Sequence, residues 1–534
     1  MDMRVFAFGW LAACSLCSAA PAAADNDAIT ATLLEKTAQA NFREFFDMLS
    51  LPNDAINAAD IQRNADWLEV AFRKRGFTTQ QLANNGKPLV FAEYAHKTPG
   101  ARTILFYIHF DGMPVIPTQW SQKSPWTPVL KQRVKSDQAA PLRTFTPSRV
   151  SAQNYWEEID ANKLLTEKLD PEWRVFGRSS SDDKGPIMMF LTAFDLLKAA
   201  RLEPAINVKV LLDSEEEKGS PGIGVVAKAN RDLLRADAIV IHDGPMHASG
   251  QPTIVFGNRG NTVVQVIVYG PKLPLHSGHY GNYVPNPAQR LATLLASMKD
   301  DDGRVTIAGY YDNVKLTDAE RTIMDAVPDD APSLLKRVGI ARPEQVGRNL
   351  QESLQYPSLN IRGMESAVIG EKGANIIPSK ATAELDLRTT PGASPDYLVA
   401  LIEKHVRAQG YHLSNGEPTD EEREKYDKIA ALIVSRGSEA AFTRLDSPIG
   451  AWVQETLART FAIEGEAAKT VRIRMMGGSV PTDKLVQALG LPFVIVPLVN
   501  ADNNQHSFDE NLRIGHFLNG TRAMTGLLRA PFSD

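Results

Sequence analysis

Hydrophobic positions fall first at helical spacing. Ala28 to Leu51 carries Leu33, Leu34, Phe42, Phe45 and Phe46 on one stripe. Ala58 to Arg75 repeats the pattern and stops at Gly76, with Arg73, Lys74 and Arg75 in the last turn. The period then shortens: Pro88 to Tyr94 and Thr103 to Ile108 are predicted strands, and Ile206 to Leu212, apolar apart from Asn207 and Lys209, and Ala238 to Ile241 are runs of the kind a parallel sheet buries on both faces. Between them lie predicted helices at Ile187 to Leu197, with Pro186 in its first turn, and near Gly222 to Leu234. From Thr262 the pattern alternates, in Thr262 to Tyr269, Ser358 to Arg362 and Ala381 to Leu387, with a helix at Ala288 to Met298. The alternation predicts half-exposed antiparallel strands. Asp300 to Leu350 is charged and irregular, and the charge run Asp420 to Lys428 reads as a solvated exit segment. The first pattern returns at Val471 to Arg474, a helix over Thr482 to Leu489, a strand over Phe493 to Pro497 and a last amphipathic helix.

An α/β domain interrupted by a smaller α+β domain accounts for this order. The expected boundaries are 25–261 for the first part of the large domain, 262–440 for the inserted one and 441–534 for the return. Within the first part, about 120–173 is rich in proline and charge and has little periodicity until a helical patch near Ala161 to Leu169. So long a stretch is expected to act as an insertion over the active-site face.

Composition narrows the class. The chain is 43% hydrophobic and 23% charged, with a formal net charge of −5, which fits a soluble globular protein of two domains and gives no basic footprint for nucleic acid. Residues 1–24 have the pattern of a secretory signal: Arg4, then an apolar run from Val5 to Cys17, then Ala22, Ala23 and Ala24 as a cleavage site. An exported protein, periplasmic or secreted, is expected. Leu11 to Cys14 also looks like a lipoprotein box, so lipid anchoring through Cys14 ranks second. Both cysteines lie in this segment, leaving the mature chain without a thiol, a disulfide or a cysteine metal ligand. No later segment has the roughly 20 apolar residues of a membrane span.

Chemistry collects at the strand ends. The stretch Asp213 to Ser220 follows the run 206–212 and holds three successive acids, Glu215, Glu216 and Glu217. They are either solvated on a loop or gathered around something cationic. The strand at 103–108 runs into His109 and Asp111, where an imidazole can bind a metal through one nitrogen while the aspartate fixes the ring. Asp182 and Asp183 stand in a glycine-flanked turn before a helix, and Asp243 follows the strand 238–241. In an open α/β sheet such ends share one crevice. Strand alternation turns His242 away from the face that Asp243 uses, and the other histidines, His247 among them, carry no motif. His276 precedes Ser277 and Gly278, and His506 lies in the run Asn504 to Glu510.

Taken together and in order, these stretches resemble the dinuclear zinc amidohydrolases and peptidases that include carnosinase, carboxypeptidase G, acetylornithine deacetylase and succinyl-diaminopimelate desuccinylase. The resemblance spans nearly all of the chain after the leader. It implies a catalytic domain with a mixed, mainly parallel sheet and an inserted ferredoxin-like domain for lid and dimerisation. It implies two zinc ions per subunit, with cobalt or manganese as substitutes, His109 and Asp243 as end ligands of one, Glu217 and His506 of the other, and Asp182 bridging both, often before a cis peptide. Glu216 matches the catalytic carboxylate, Asp111 the orienting one, and Glu215 has no role and is expected in solvent. His276 resembles the histidine that reaches a neighbouring subunit's site. Asn375, Arg388, Gly478 and Ser479 resemble groups that hold the substrate's carboxylate end. The implied function is hydrolysis of dipeptides or short peptides by a homodimer. N-acyl amino acid deacylation is the alternative, and non-catalytic peptide binding the third reading. Two departures bear on substrate: the long stretch between Asp111 and Asp182, and Asp243 where deacylases and carboxypeptidases carry glutamate, which tilts the reading toward peptides.

Overall fold

A computed structural model describes residues 29–95, 97, 99–134, 155–463, 465–478, 480 and 483–533. The expected leader 1–24 with Cys14, and Ser479, lie outside the described residues, as does 135–154 of the long stretch. The large domain is built on an eight-stranded mixed sheet in the order 77–82, 89–94, 207–213, 103–109, 238–241, 493–495, 253–255, 471–473. The strands Asn207–Asp213, Thr103–His109, Ala238–Ile241 and Phe493–Ile495 run parallel in its centre. Alternation sends Ile104, Phe106 and Ile108 to one fully buried face and Leu105 and Tyr107 to the other. The helices Ala31–Leu49, Lys184–Ala200 and Ile514–Arg529 pack on the first face, with Phe42 and Phe45 at 5.0 and 5.7 Å from the Phe517 ring. The short helices Ile223–Ala229 and Asp483–Leu489 cover the second.

The inserted domain follows the order strand, helix, strand, strand, helix, strand. Its sheet runs 358–365, 380–389, 260–269, 429–436, 412–413. The helices Pro287–Ala296 and Pro395–Ala408 cover one face, burying Ala381, Ala383, Leu385 and Leu387, while Thr382, Glu384, Asp386 and Arg388 alternate onto the other. This is the ferredoxin-like arrangement.

Two expectations change. The run 420–428 is no exit: Thr419 and Glu422 form a capping box on the helix Asp420–Lys425, and the next strand, Ile429–Arg436, pairs along Gly260–Tyr269 inside the sheet. The long stretch is also less loop-like at its ends than its proline content suggests. Val129–Arg133 and Trp156–Ile159 join Arg174–Phe176 and Asn511–Arg513 in a small antiparallel sheet. That sheet ties the strand before Asp182 to the strand after His506. Among the described residues no helix is long and apolar enough to cross a membrane.

Candidate metal centre

His109 ends the central strand Thr103–His109 and is fully buried. Its Nε2 lies 2.9 Å from Asp182 Oδ1, and its Nδ1 lies 3.3 Å from Asp111 Oδ1. Asp111 is buried as well, and its two oxygens accept the backbone N–H groups of Glu216 and Glu217 at 3.0 and 3.1 Å. One carboxylate thus orients the imidazole and fixes the turn Glu216–Lys218. From the other side, His506 Nε2 lies 3.1 Å from Asp182 Oδ2 and 3.2 Å from Glu217 Oε2. Two groups of candidate ligands result, His109 with Asp182 and Asp243, and Asp182 with Glu217 and His506, the ligand atoms of each within 4.8 Å of one another. Asp182 belongs to both. The peptide bond from Asp182 to Asp183 is cis.

The electrostatics follow from crowding acids in a dry place. Burial, then the Asp182 charge, pushes Glu217 up to about 8. Burial pushes Asp243 up to about 6 and Glu216 well above the carboxylate range, with Asp243 the next cause for Glu216. Burial alone would raise Asp182 too, but the hydrogen bonds to His109 and His506 hold it below its usual range. The hydrogen bond to Asp182 lifts His506 to about 9. Such a cluster is eased by a cation among the oxygens. Imidazole nitrogen and carboxylate oxygen donors, with one carboxylate common to both groups, suit a pair of zinc-like ions.

The loops are held by residues that sequence reasoning missed. Glu510 is fully buried and accepts from the Arg178 guanidinium at 2.7 Å, from the Ser179, Ser181 and Asp182 backbone N–H groups at 2.9–3.0 Å, and from the Ser181 hydroxyl at 2.9 Å. It clamps the Asp182 loop to the His506 loop. Asn504, His506 and Asp509 all have positive φ without being glycine, a conformation that persists only where neighbours enforce it. Ser121 N–H donates to Asp509 at 2.8 Å, and Arg178 donates to the Ser507 carbonyl at 3.0 Å. Asn53 joins the other pair of loops, donating to the Phe110 carbonyl at 2.7 Å and to the Ser179 hydroxyl at 3.0 Å. Nothing local marks Glu510 or Asn53, because each acts across the chain.

Replacing Glu510 with alanine leaves Arg178 buried without its carboxylate. The expected cost is about 3–5 kcal/mol, read from urea unfolding of the metal-free protein. A change below about 1 kcal/mol would mean that the two loops hold without the clamp.

Glu215 corrects an expectation. It is buried, not solvated, ion-paired with Lys87 at 2.5 Å and hydrogen-bonded to Asn84 at 3.0 Å. The first acid of the triplet points back into the fold, where Lys87 supplies its counter-charge. His242 stacks on Phe106 at 5.9 Å and pairs with the Val496 carbonyl at 3.0 Å, on the interior side of its strand.

The remaining candidates sit apart. His276 is exposed at the start of the short helix Ser277–Tyr280, and the Asn375 carbonyl accepts from Ser277 N–H at 2.9 Å. The strand pairing of Leu275 and His276 with Ile377 and Ile376 keeps the two together. Among the described residues no contact joins either to the ligand groups. Arg388 lies on the open face of the inserted sheet, 3.6 Å from Asp386. Gly478 is exposed in the turn after Val471–Ile473.

The model of peptidase family M20/M25/M40 matches residues 161–530, and the chain belongs to this family. It is therefore a hydrolase of the metallopeptidase class. The chain is 23% identical over 503 residues to the Cys-Gly metallodipeptidase DUG1 of Candida albicans, covering 90% of this chain and 91% of that protein. It is 25% identical over 358 residues to the Beta-Ala-His dipeptidase of Mus musculus, covering 65% and 69%. Among solved structures, the M20 family metallo-carboxypeptidase Sso-CP2 from Sulfolobus solfataricus superposes with a TM-score of 0.68 at 24% identity over 91% of this chain and 98% of that one. The di-peptidase Dug1p from Saccharomyces cerevisiae follows with 0.66 at 20% identity, over 93% and 97%. The family expected from the motifs is the one found.

Proposed function

We propose that this enzyme is a dipeptidase that holds two zinc ions and cleaves dipeptides or short peptides. The observation that carries this reading is Asp182, whose two oxygens face separate ligand groups 2.9 Å from His109 and 3.1 Å from His506, with Glu216 beside them. In the proposed site His109, Asp182 and Asp243 hold one ion and Asp182, Glu217 and His506 the other. When bound, the ions supply Lewis acidity that brings the pKa of an attacking water down to about 7. Glu216 takes the proton as water attacks the scissile carbonyl, then passes it to the leaving amine. Glu216 stands in neither ligand group and on the same turn as Glu217, which suits it to both halves of that transfer.

The relatives named as dipeptidases, and Asp243 in the position discussed above, favour peptides over acyl-amino acids. Gly478 and Ser479, with Arg388 and Asn375, receive the free carboxylate end. His276 serves the site of a second copy, which makes the enzyme a homodimer. The leader-like pattern of residues 1–24 supports export to the periplasm or beyond.

A panel of dipeptides and N-acetyl amino acids, with and without chelator, tests this reading. Hydrolysis of dipeptides that chelator abolishes and zinc restores is expected; hydrolysis of the acetyl compounds alone would overturn it. Protons compete with the ions. In the metal-free protein Glu217 and His506 keep protons up to about 8 and about 9, and both must leave before a cation binds. Zinc affinity should therefore rise from pH 6 to pH 8 and fall on acidification, as competition with a chromophoric chelator would show. A flat profile would remove these two groups from the ligand set.

A further inference from the structure

Residues 317–356, which overlap the charged and irregular stretch Asp300 to Leu350 and run just past it, lie against the large domain near the turn 476–478. The Leu354 side chain comes within 3.2 Å of where a β-carbon on Gly477 would stand, so it seats directly on the turn. Beside it runs a chain of hydrogen bonds. Arg474 Nη1 donates to Gln355 Oε1 at 2.7 Å, and Gln355 Nε2 donates to the Gln351 carbonyl at 2.8 Å. Gln351 Nε2 donates to Asp329 Oδ2 at 2.9 Å, and Asp329 Oδ1 meets His247 Nε2 at 3.1 Å. Gln351 and Gln355 are only 5% and 2% exposed, so the chain is shielded from competing water.

Its two ends matter. His247 stands four residues after Asp243, and Arg474 leads into Met476, Gly477 and Gly478. A second anchor lies alongside: Arg259 donates to the Tyr356 carbonyl at 3.0 Å, and its backbone N–H to the Met476 carbonyl at 3.3 Å. Arg474 is also held by Glu320 at 2.8 Å. The Met476 side chain lies 4.0 Å from where a β-carbon on Gly244 would stand, so the segment carrying Asp243 and the glycine turn are neighbours, and both are fastened to one piece of the inserted domain.

We propose that the segment 317–356 is a clasp that fixes the glycine turn at a set distance from Asp243, with Gln355 and Leu354 as positioning residues for substrates that end in a free carboxylate. This rests on the reading that Gly478 receives that carboxylate. The glycine pair of the turn, bare of side chains, offers backbone N–H groups to an anion, and its precision comes from whatever holds the backbone. Gln355 and Leu354 touch no candidate ligand, so losing them alters where the carboxylate rests and leaves the reacting atoms in place.

The test uses the zinc-loaded enzyme with one dipeptide and its C-terminal amide. Wild type should show the lower KM for the free acid. Gln355→Leu and Leu354→Ala should raise KM for the acid by about tenfold, the size of one hydrogen bond to a charged group, with kcat and zinc content held and KM for the amide unchanged. Gln355→Glu keeps an acceptor for Arg474 but loses the donor to the Gln351 carbonyl, so its KM for the acid should fall between those of wild type and Gln355→Leu. If Gln355→Leu fails to fold, Leu354→Ala, which removes no polar partner, answers alone. Unchanged KM for the acid, or equal changes for acid and amide, would overturn the clasp. If wild type itself does not distinguish acid from amide, the carboxylate reading of the turn falls first and takes the clasp with it.

Discussion

Glu216→Ala should fold, keep its zinc and hydrolyse dipeptides slower by roughly 10²–10⁴-fold, the usual share of a general base. The expectation follows from where Glu216 sits. It belongs to neither ligand group, yet it directly precedes the ligand Glu217 on the same turn, which leaves its carboxylate to carry a proton rather than to bind metal. Its backbone is fixed by Asp111 at 3.0 Å independently of its side chain, so truncation leaves the turn and the ligand Glu217 in place. Two measurements read together decide the matter: kcat by amine release, and zinc per chain by elemental analysis after dialysis. Near-normal turnover with zinc retained would remove Glu216 from the chemistry. Loss of zinc along with activity would make it a ligand instead.

His109, Asp243 and the acids 215–217 stood out because each follows a strand whose period is plain, whereas Asp182 lies in a turn before a helix and His506 in a loop, and the resemblance alone singled them out as ligands. Unbroken runs such as Ala238–Ile241 announce buried parallel strands, and their carboxyl ends share one crevice. The inserted sheet was legible for the opposite reason, its clean alternation in Lys380–Thr389. What stayed hidden either was short or acted at a distance. Phe77–Leu82 is a polar edge strand, and Thr253–Val255 has only three residues, too few to show a period. Trp156–Ile159, with two glutamates, reads as loop until it pairs with Val129–Arg133. Glu215 looked solvated because Lys87, its partner, is 128 positions away in the chain. The same holds for Glu510, whose partners at 178–182 come near only when the small sheet sets Asn511 opposite Phe176. Composition names the atoms that bind. The residues that hold those atoms still are known only once the chain has folded.

Asp182→Ala should be the most damaging single change at the centre, and in a way that separates a bridging ligand from an ordinary one. Removing Asp243 or Glu217 takes one donor from one group and leaves the other group whole, so one zinc per chain should survive dialysis. Removing Asp182 takes a donor from both groups at once, and neither is left with more than two. Zinc should then fall close to none and dipeptide hydrolysis below detection. The fold should persist, because the loop is held through the backbone: Glu510 accepts from the N–H groups of Ser179, Ser181 and Asp182 whatever side chain stands at 182. Circular dichroism and urea unfolding would check that, and elemental analysis across the three variants gives the stoichiometry. Should Asp182→Ala retain one ion while Asp243→Ala or Glu217→Ala loses both, the shared carboxylate lies elsewhere and the two-group arrangement does not describe how this enzyme holds its metal.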